Sequence, residues 1–291
     1  MKKILSGFIR AASFIIGRKN LEKLLVYAAK SMRINLHQHG LLQIGAGTNV
    51  YLENGSELFF IKNTLAELFD NKSTPLFFDV GANIGNYTLA LKEYIPNAKI
   101  YSFEPVKETF EKLKNNVEEH ARLHNIGFGN AAGKGLLYNT ADSSISEIAS
   151  VHKEVLTEVF KSADQVVAIE FELDRIDNFC LANNIKNIDF LKIDVEGNEL
   201  AVLQGASLLL KNNAIKIIQF EFNTHNIYAR VFLRDFYLLL TCFEFYRLQQ
   251  NGMLKLGAYN PVNEIFTAQN IIAVHQSIAK NINSNMYVQY G

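Results

Sequence analysis

The sequence predicts an α/β fold in which helices cover both faces of a mostly parallel sheet. From residue 76 to residue 242, short apolar runs alternate with segments of helical periodicity, and glycines stand where the first run meets its helix. Such alternation is typical of parallel strands joined by helical crossovers. Two later runs, Phe243–Gln249 and Glu264–Val274, have no helix between them and predict an antiparallel pair at one sheet edge.

The individual elements follow from the spacing of apolar residues. The predicted strands are Leu76–Val80, Lys99–Phe103, Leu123–Phe128, Phe190–Ile193 and Ile215–Phe222. The predicted helices are Ser56–Phe69, Tyr87–Tyr94, Lys107–Glu119, Asp174–Asn183, Glu199–Leu210 and Arg234–Cys242. The segment Gly129–Gln165 does not fit the alternation, so we interpret it as an insertion with a helix from Glu147 to Phe160.

Length and composition predict one domain, residues 56–291, preceded by a helical extension, residues 1–55. Hydrophobic residues make up 48% of the 291 positions and charged residues 20%, which is typical of a globular chain. The formal net charge of zero argues against a nucleic-acid partner. Cys180 and Cys242 have neither CxxC nor metal-ligand spacing, so we predict buried thiols in a reducing, cytoplasmic protein.

The N-terminal extension resembles a signal peptide only superficially, because Arg10 interrupts its apolar run. An amphipathic helix over Lys3–Gly17 is the better interpretation, and its apolar face either packs on the domain or contacts a membrane surface. Leu21–Met32 predicts a second helix, and His37–Gly47 is predicted to be irregular. No uninterrupted apolar stretch is long enough to span a bilayer.

The segment from Asp79 to Gly85 predicts a sharp strand-to-helix turn at which a ligand approaches the backbone. Glu104 ends the next predicted strand about 20 residues later, a spacing at which a carboxylate reaches a ribose hydroxyl pair. Asn83 stands where a dinucleotide fingerprint has its second glycine, which counts against a nicotinamide oxidoreductase. Asp79 suits a cofactor that carries an ammonium group. The alternative is a tight turn beside an exposed strand end.

Four phrases occur in one order: FFDVGANIGNYTLAL, IYSFEPVKETFEKLKNNV, IDFLKIDVEGNELAVLQGA and IIQFEFN. Together they resemble the FkbM family of S-adenosylmethionine-dependent methyltransferases from about Leu76 to Asn223. The later phrase NGMLKLGAYNPVNEIFTAQNIIAV resembles the C-terminal strands of members associated with surface polysaccharide synthesis. This resemblance implies a class I methyltransferase, Rossmann-like sheet with an antiparallel C-terminal edge, and S-adenosyl-L-methionine as cofactor.

The resemblance also implies roles for individual residues in binding that cofactor. Around its methionine end it places Asp79, Gly81, Ala82, Asn83 and Gly85. It places Glu104, followed by Pro105, on the ribose, and the turn that contains Phe128 against the adenine. Phe128 is alternatively an ordinary apolar residue at the end of a strand.

Catalytic candidates follow the strands, because ligands of an open parallel sheet bind beyond the carboxyl ends of its strands. The residues at those positions are Asp194, Glu196, Glu221, Asn223 and His225. Asp194 and Glu196 are predicted to point to the same side by strand alternation, where they orient or deprotonate a hydroxyl. His225 suits a base through its near-neutral pKa range.

Each catalytic candidate has an alternative role. Asp194 could contact only the cofactor, Glu196 could stabilise a helix N-terminus, and His225 could be a solvent-exposed loop residue. A divalent cation is compatible with these carboxylates, but no fixed ligand spacing is present and no metal is predicted.

The leading functional hypothesis is methyl transfer to a hydroxyl of a sugar, glycan or glycan precursor. The alternatives are methyl transfer to nitrogen and a non-catalytic scaffold that retains the fold. The acceptor pocket is expected to involve the 129–165 insertion and the N-terminal helices.

Overall fold

The computed structural model describes residues 7, 11–47, 55–70, 72, 74–140, 151, 153–159, 166–282 and 286–288. The chain divides into two compact units, Met1–Ile44 and Gly45–Gly291. This division falls ahead of the boundary that the sequence suggests at residue 55.

The first unit is helical throughout most of its described part. Residues 11–16 form a helical segment, and α1 (Arg18–Ser31) and α2 (Leu36–Gln43) follow. The predicted irregular structure over His37–Gly47 is therefore wrong for most of its length. The Asn35 side chain accepts the Gln38 N–H at 3.1 Å and caps α2, as Asn commonly does at an N-cap. No described helix combines the length and apolarity needed to cross a membrane.

The second unit contains the strands and the remaining helices. Its described strands are β1 (Leu76–Val80), β2 (Lys99–Phe103), β3 (Arg122–His124), β4 (Gly127–Phe128), β5 (Gly133–Thr140), β6 (Val166–Asp174), β7 (Ile188–Ile193), β8 (Ile215–Phe222), β9 (Phe243–Gln249), β10 (Gly252–Lys255), β11 (Gln269–His275) and β12 (Tyr287–Val288).

The helices of the second unit begin with α3, in which Ser56–Phe60, a π-helical turn Ile61–Leu65 and Ala66–Phe69 run together. The others described are α4 (Asn86–Tyr94), α5 (Lys107–Val117), α6 (Ile176–Ala182), α7 (Glu199–Gly205), α8 (Ser207–Lys211), α9 (His225–Ala229), α10 (Leu233–Leu239) and α11 (Gln276–Ala279). Most of these segments coincide with the predicted helices to within a few residues.

The main sheet has nine strands in the order β12-β10-β9-β11-β8-β7-β1-β2-β3. The strands from β3 to β8 in this order are parallel, and β11 runs antiparallel to both β8 and β9. Alternate residues supply two separate cores: Phe77 and Phe190 pack on one face, and Phe78 and Leu191 on the other. The predicted α/β fold with a mostly parallel sheet is confirmed.

The predicted antiparallel pair is present, but it does not form the edge. β11 begins at Gln269 rather than at Glu264, and residues 264–268 are irregular between it and a 3-10 turn, Pro261–Asn263. It is inserted between β8 and β9, and β10 and β12 extend the sheet beyond β9. Cys242, predicted to be buried in a helix, is exposed, because α10 ends at Leu239 and leaves it in a turn.

A second sheet of three strands, in the order β4-β6-β5, was not predicted. The predicted strand Leu123–Phe128 is divided between the two sheets at Asn125, whose side chain donates to the carbonyls of Glu104 and Pro105 at 2.8 and 2.9 Å. β5 lies within the predicted insertion and pairs over its full length with β6, which begins directly after it. Of the predicted helix from Glu147 to Phe160, residue 151 is a bend and residues 153–159 are helical and end in a π-helical turn, and the rest lies outside the described residues.

Candidate active site

An open cleft lies at the carboxyl ends of β1, β2 and β7, and the space within it, counted out into open solvent, is about 890 Å³. Ligands of an open parallel sheet bind at this edge. Seven of the predicted site residues contribute to its wall: Gly81, Asn83, Glu104, Pro105, Phe128, Asp194 and Glu196. Asp79, Ala82, Gly85 and His225 lie behind that wall, and the second sheet forms its other side.

The turn after β1 is held close to both neighbouring strands. The Gly81 and Ala82 N–H groups donate to the Phe103 carbonyl at 3.0 and 2.9 Å. Gly81 has φ +81°, and a Cβ on it would lie 1.8 Å from the carbonyl oxygen of Asp194. Gly85 has φ +97°, and a Cβ there would lie 2.5 Å from Val117 on α5. The two glycines therefore allow close approach of a loop and of a helix, respectively.

Glu104 connects that turn to the end of β2. Its Oε2 accepts the Asn83 N–H at 3.1 Å, and its Oε1 accepts the Val106 N–H at 2.9 Å. Asn83 has φ +49°, so the carboxylate helps to hold a strained backbone. Burial raises the pKa of Glu104 to about 7, although both N–H donors oppose the rise. Each carboxylate oxygen retains a lone pair, so the group can still accept a ligand hydroxyl.

Asp79 is fully buried beneath the turn and does not line the cleft. The Thr88 hydroxyl donates to its Oδ2 at 2.7 Å and is itself 2.7 Å from the Ser102 hydroxyl. Its Oδ1 has no hydrogen bond and lies 3.7 Å from Lys192 Nζ. Burial raises the pKa of the Asp79 carboxyl. A direct contact of Asp79 with the cofactor stays a prediction.

Lys192 is the principal site residue that sequence analysis missed. It lies opposite Asp79 in the register of β1 and β7 and is 5% exposed. Its ammonium donates to Asp194 Oδ2 at 3.2 Å and lies 5.0 Å from the centre of the Tyr87 ring. Burial lowers its pKa, but the Asp194 and Asp79 carboxylates outweigh burial and the net pKa is raised. A lysine within the apolar run IDFLKI was the available signal, because lysine is rarely buried unpaired.

Asp194 and Glu196 both reach the cleft, but not by strand alternation as predicted. β7 ends at Ile193, and Glu196 has φ +59° in a left-handed turn that continues through Gly197. Glu199 holds this turn, because its Oε1 accepts the Val195 and Gly197 N–H groups at 3.2 and 3.1 Å. Burial raises the pKa of Glu199 to about 7.

Glu196 faces the cleft with His225 behind it. His225 Nδ1 lies 3.3 Å from Glu196 Oε2, and the histidine is 5% exposed and does not line the cleft. The Asn223 side chain accepts the His225 N–H at 2.8 Å and donates to Glu221 at 2.7 Å. Burial raises the pKa of Glu196 well above its ordinary value, and the carboxylates of Asp194 and Glu221 add to the effect. The five catalytic candidates thus form one cluster, of which Asp194 and Glu196 contact the cleft.

The second sheet supplies a mostly apolar wall opposite these carboxylates. Leu137 and Asn139 on β5 and Phe171 on β6 line the cleft. Phe128, at the end of β4, is 2% exposed and packs edge-on against Phe103 with ring centres 4.7 Å apart. A strand of the predicted insertion and the strand that follows it therefore contribute to the site.

A metal site is not evident in the part of the chain that the structure describes. No three His, Cys, Asp or Glu side chains there are placed to share an ion. The carboxylates named above instead contact backbone N–H groups, Lys192, Thr88, Asn223 or His225.

Comparison with known proteins gives one family match and several relatives. A family model described as the methyltransferase FkbM domain matches residues 79–250. Methyltransferase 1 of Beauveria bassiana is 30% identical over 44% of this chain and 56% of its own length. Methyltransferase sdnD of Sordaria araneosa is 29% identical, over 46% and 61%. The 31-O-demethyl-FK506 methyltransferase FkbM of Streptomyces tacrolimicus is 28% identical, over 51% and 66%. The chain thus spans less than two thirds of each relative.

Proposed function

Because the chain belongs to the FkbM methyltransferase family, we propose that it is an S-adenosylmethionine-dependent methyltransferase that acts on a hydroxyl of a sugar, glycan or glycan precursor. One observation carries the proposal. Glu104 and Gly81 line the same cleft as Asp194 and Glu196. Groups suited to binding a nucleoside therefore face the same space as groups suited to proton transfer.

The cleft residues fit a nucleoside that carries an amino acid. The Glu104 carboxylate is suited to ribose hydroxyls, and Phe128 lines the part of the cleft where the family resemblance places the base. Gly81 leaves its backbone accessible, and Asp194 provides a carboxylate for an ammonium group. When bound, S-adenosylmethionine would supply an electrophilic methyl group on sulfur.

Glu196 is the residue best suited to take the proton that a hydroxyl acceptor loses as its oxygen gains the methyl group. The Asp194 carboxylate is already paired with the Lys192 ammonium at 3.2 Å. Burial and neighbouring carboxylates raise the pKa of Glu196, which strengthens it as a base. His225, at 3.3 Å, orients the Glu196 carboxyl from behind.

An oxygen acceptor is supported by a relative. The Streptomyces protein is named for a 31-O-demethyl compound. The glycan assignment is supported by the C-terminal phrase, which resembles members associated with polysaccharide synthesis.

The first test is calorimetric titration with S-adenosylhomocysteine, with a nicotinamide dinucleotide as the control ligand. We expect only the homocysteine compound to bind. Glu104→Gln should weaken binding roughly tenfold, because one charge-assisted hydrogen bond is lost. Glu170→Gln is the matched control, since its side chain is 61% exposed on β6.

Transfer is then tested by mass spectrometry on sugar hydroxyl and amine acceptors. Methyl addition to oxygen supports the proposal. Addition to nitrogen alone would overturn the choice of acceptor atom. Binding without transfer to any acceptor would indicate a scaffold, and preferential binding of the dinucleotide would reject the cofactor.

A further inference from the structure

The N-terminal 34 residues are strongly basic, although the whole chain is neutral. They contain eight Lys or Arg residues and one Glu, whereas the whole chain has a formal net charge of zero. The remaining residues therefore have a net negative charge equal in size to the positive charge of this segment. Such a polarised distribution favours an anionic partner for one end of the chain.

Helix α1 gathers three leucines on one face and three lysines on the opposite face, although Val26 lies beside the lysines and Arg18 beside the leucines. The helical period places one set together as an apolar stripe: Leu21, Leu24, Leu25 and Ala28. It places Lys19, Lys23 and Lys30 together on another face. A helix with a basic face, an apolar face and low average hydrophobicity is typical of segments that lie in a membrane interface.

Two leucines of the apolar stripe are exposed to solvent. Leu24 is 54% exposed and Leu25 is 59% exposed. In the preceding helical segment, residues 11–16, Phe14 is 92% exposed and Ile15 is 81% exposed. Several large apolar side chains left in water within about 12 residues indicate an interaction surface rather than isolated exceptions.

Charge decides which occupant fits this surface. A second copy would bring another strongly basic segment against the first, and the two would repel each other. An anionic lipid surface offers complementary charge for the basic face and a headgroup boundary for the apolar stripe. The 14 residues of α1 are too short to span a bilayer. Helix α1 can therefore lie on such a surface but cannot span a bilayer by itself.

We propose that residues 11–34 form a peripheral docking element for an anionic lipid surface, with the Leu24 and Leu25 side chains in the headgroup boundary. Each Lys or Arg near the surface should strengthen binding roughly fivefold. This docking does not depend on the proposed methyl transfer, because it uses a different unit of the chain.

The test is co-sedimentation of the purified full chain with phosphatidylcholine vesicles, with and without phosphatidylserine. We expect binding only to vesicles that contain phosphatidylserine, and weaker binding as salt is raised. Leu24→Gln combined with Leu25→Gln should lower the partition coefficient roughly tenfold or more, since two apolar side chains no longer enter the boundary. Lys19→Glu combined with Lys23→Glu should lower it further.

Leu181→Gln combined with Leu208→Gln is the matched control, because these leucines are 81% and 61% exposed on helices of the second unit. This variant should bind vesicles like the parent protein, and circular dichroism should show equal helicity for all variants. Equal binding to neutral vesicles, no binding to either kind, or an unchanged partition coefficient for the Leu24 and Leu25 variant would overturn the proposal. A parent dimer in light scattering that this variant dissociates would assign the surface to a second copy instead.

Discussion

At the scale of single residues, the buried Lys192 ammonium connects β1, through Asp79, to the turn after β7, through Asp194. It lies 3.7 Å from Asp79 and 3.2 Å from Asp194, and Asp79 has no exposed surface. Removing one partner of a buried ion pair leaves an uncompensated charge, which costs far more than an exposed pair contributes. Lys192 is therefore a structural support for both carboxylates of the site.

We predict that Lys192→Met lowers the free energy of unfolding by about 3 kcal/mol in urea denaturation. Lys186→Met, at an exposed position, should change it by less than about 0.5 kcal/mol. Adding Asp79→Asn to Lys192→Met should restore at least about 1 kcal/mol, because the buried charge is removed with its partner. Additive losses in the double variant would show that the two side chains do not interact.

Glu196 is the residue at which the proposed proton transfer is tested. Its pKa is raised by burial and by two carboxylates, so kcat/KM should increase with pH until this group is ionised. Glu196→Gln should lower kcat by about 10²–10⁴-fold and remove that limb of the pH profile. Asp194→Asn should retain the limb while weakening cofactor binding. A profile that is unchanged in Glu196→Gln would assign the base elsewhere.

At the scale of elements, the approach of the β1 turn to the β7 turn fixes the cleft floor. A Cβ on Gly81 would overlap the Asp194 carbonyl, whereas a Cβ on Gly257 would meet nothing within 4 Å. Both glycines have positive φ, +81° and +69°. Alanine at Gly257 therefore measures only the cost of a left-handed backbone. Alanine at Gly81 measures that cost together with the cost of the steric overlap.

We predict that Gly257→Ala costs about 1–2 kcal/mol of unfolding free energy and Gly81→Ala at least about 3 kcal/mol. Gly81→Ala should also weaken S-adenosylhomocysteine binding, because the Asp194 loop must move, while Gly257→Ala should leave binding unchanged. Thermal denaturation and calorimetry of the two variants provide both readouts. Equal destabilisation by the two substitutions would mean that the turns do not meet as described.

At the scale of the whole molecule, buried carboxyls make stability depend on pH. Burial raises the pKa values of Glu57, Glu104 and Glu199 from 4.5 to about 7. Between pH 4.5 and 7 the folded protein then binds more protons than the unfolded chain, so its stability falls as pH rises. The pKa values of His124 and His275 are lowered by burial and act in the opposite sense near pH 6.5.

We predict that the ligand-free protein unfolds at lower urea concentration at pH 8 than at pH 5.5, because the raised carboxyls outnumber the two histidines. Each fully buried carboxyl contributes at most about 3 kcal/mol to this difference. Glu199→Gln should reduce the pH dependence, and the exposed Glu170→Gln should not. Stability that increases steadily from pH 5.5 to pH 8 would contradict the assignment of raised pKa values.

The sequence by itself determined the strand-turn-helix order of the core, the Gly81 and Gly85 turn and the place of Glu104. These features are local, because apolar periodicity and glycine spacing depend only on the residues of one element or of two successive elements. The family resemblance added the fold class, which the sheet confirms. The same local rules missed α2, the second sheet and the exposed position of Cys242.

Only the tertiary structure determined which side chains of the candidate active site contact one another. Lys192 meets Asp79 because β1 and β7 are aligned in register across more than 100 residues of chain. Glu196 faces the cleft through a left-handed turn held by Glu199, and His225 lies behind it on the loop after β8. Register between distant strands and the burial of charge depend on the packed whole, because a charged side chain is stabilised by whatever the fold brings within a few ångströms of it.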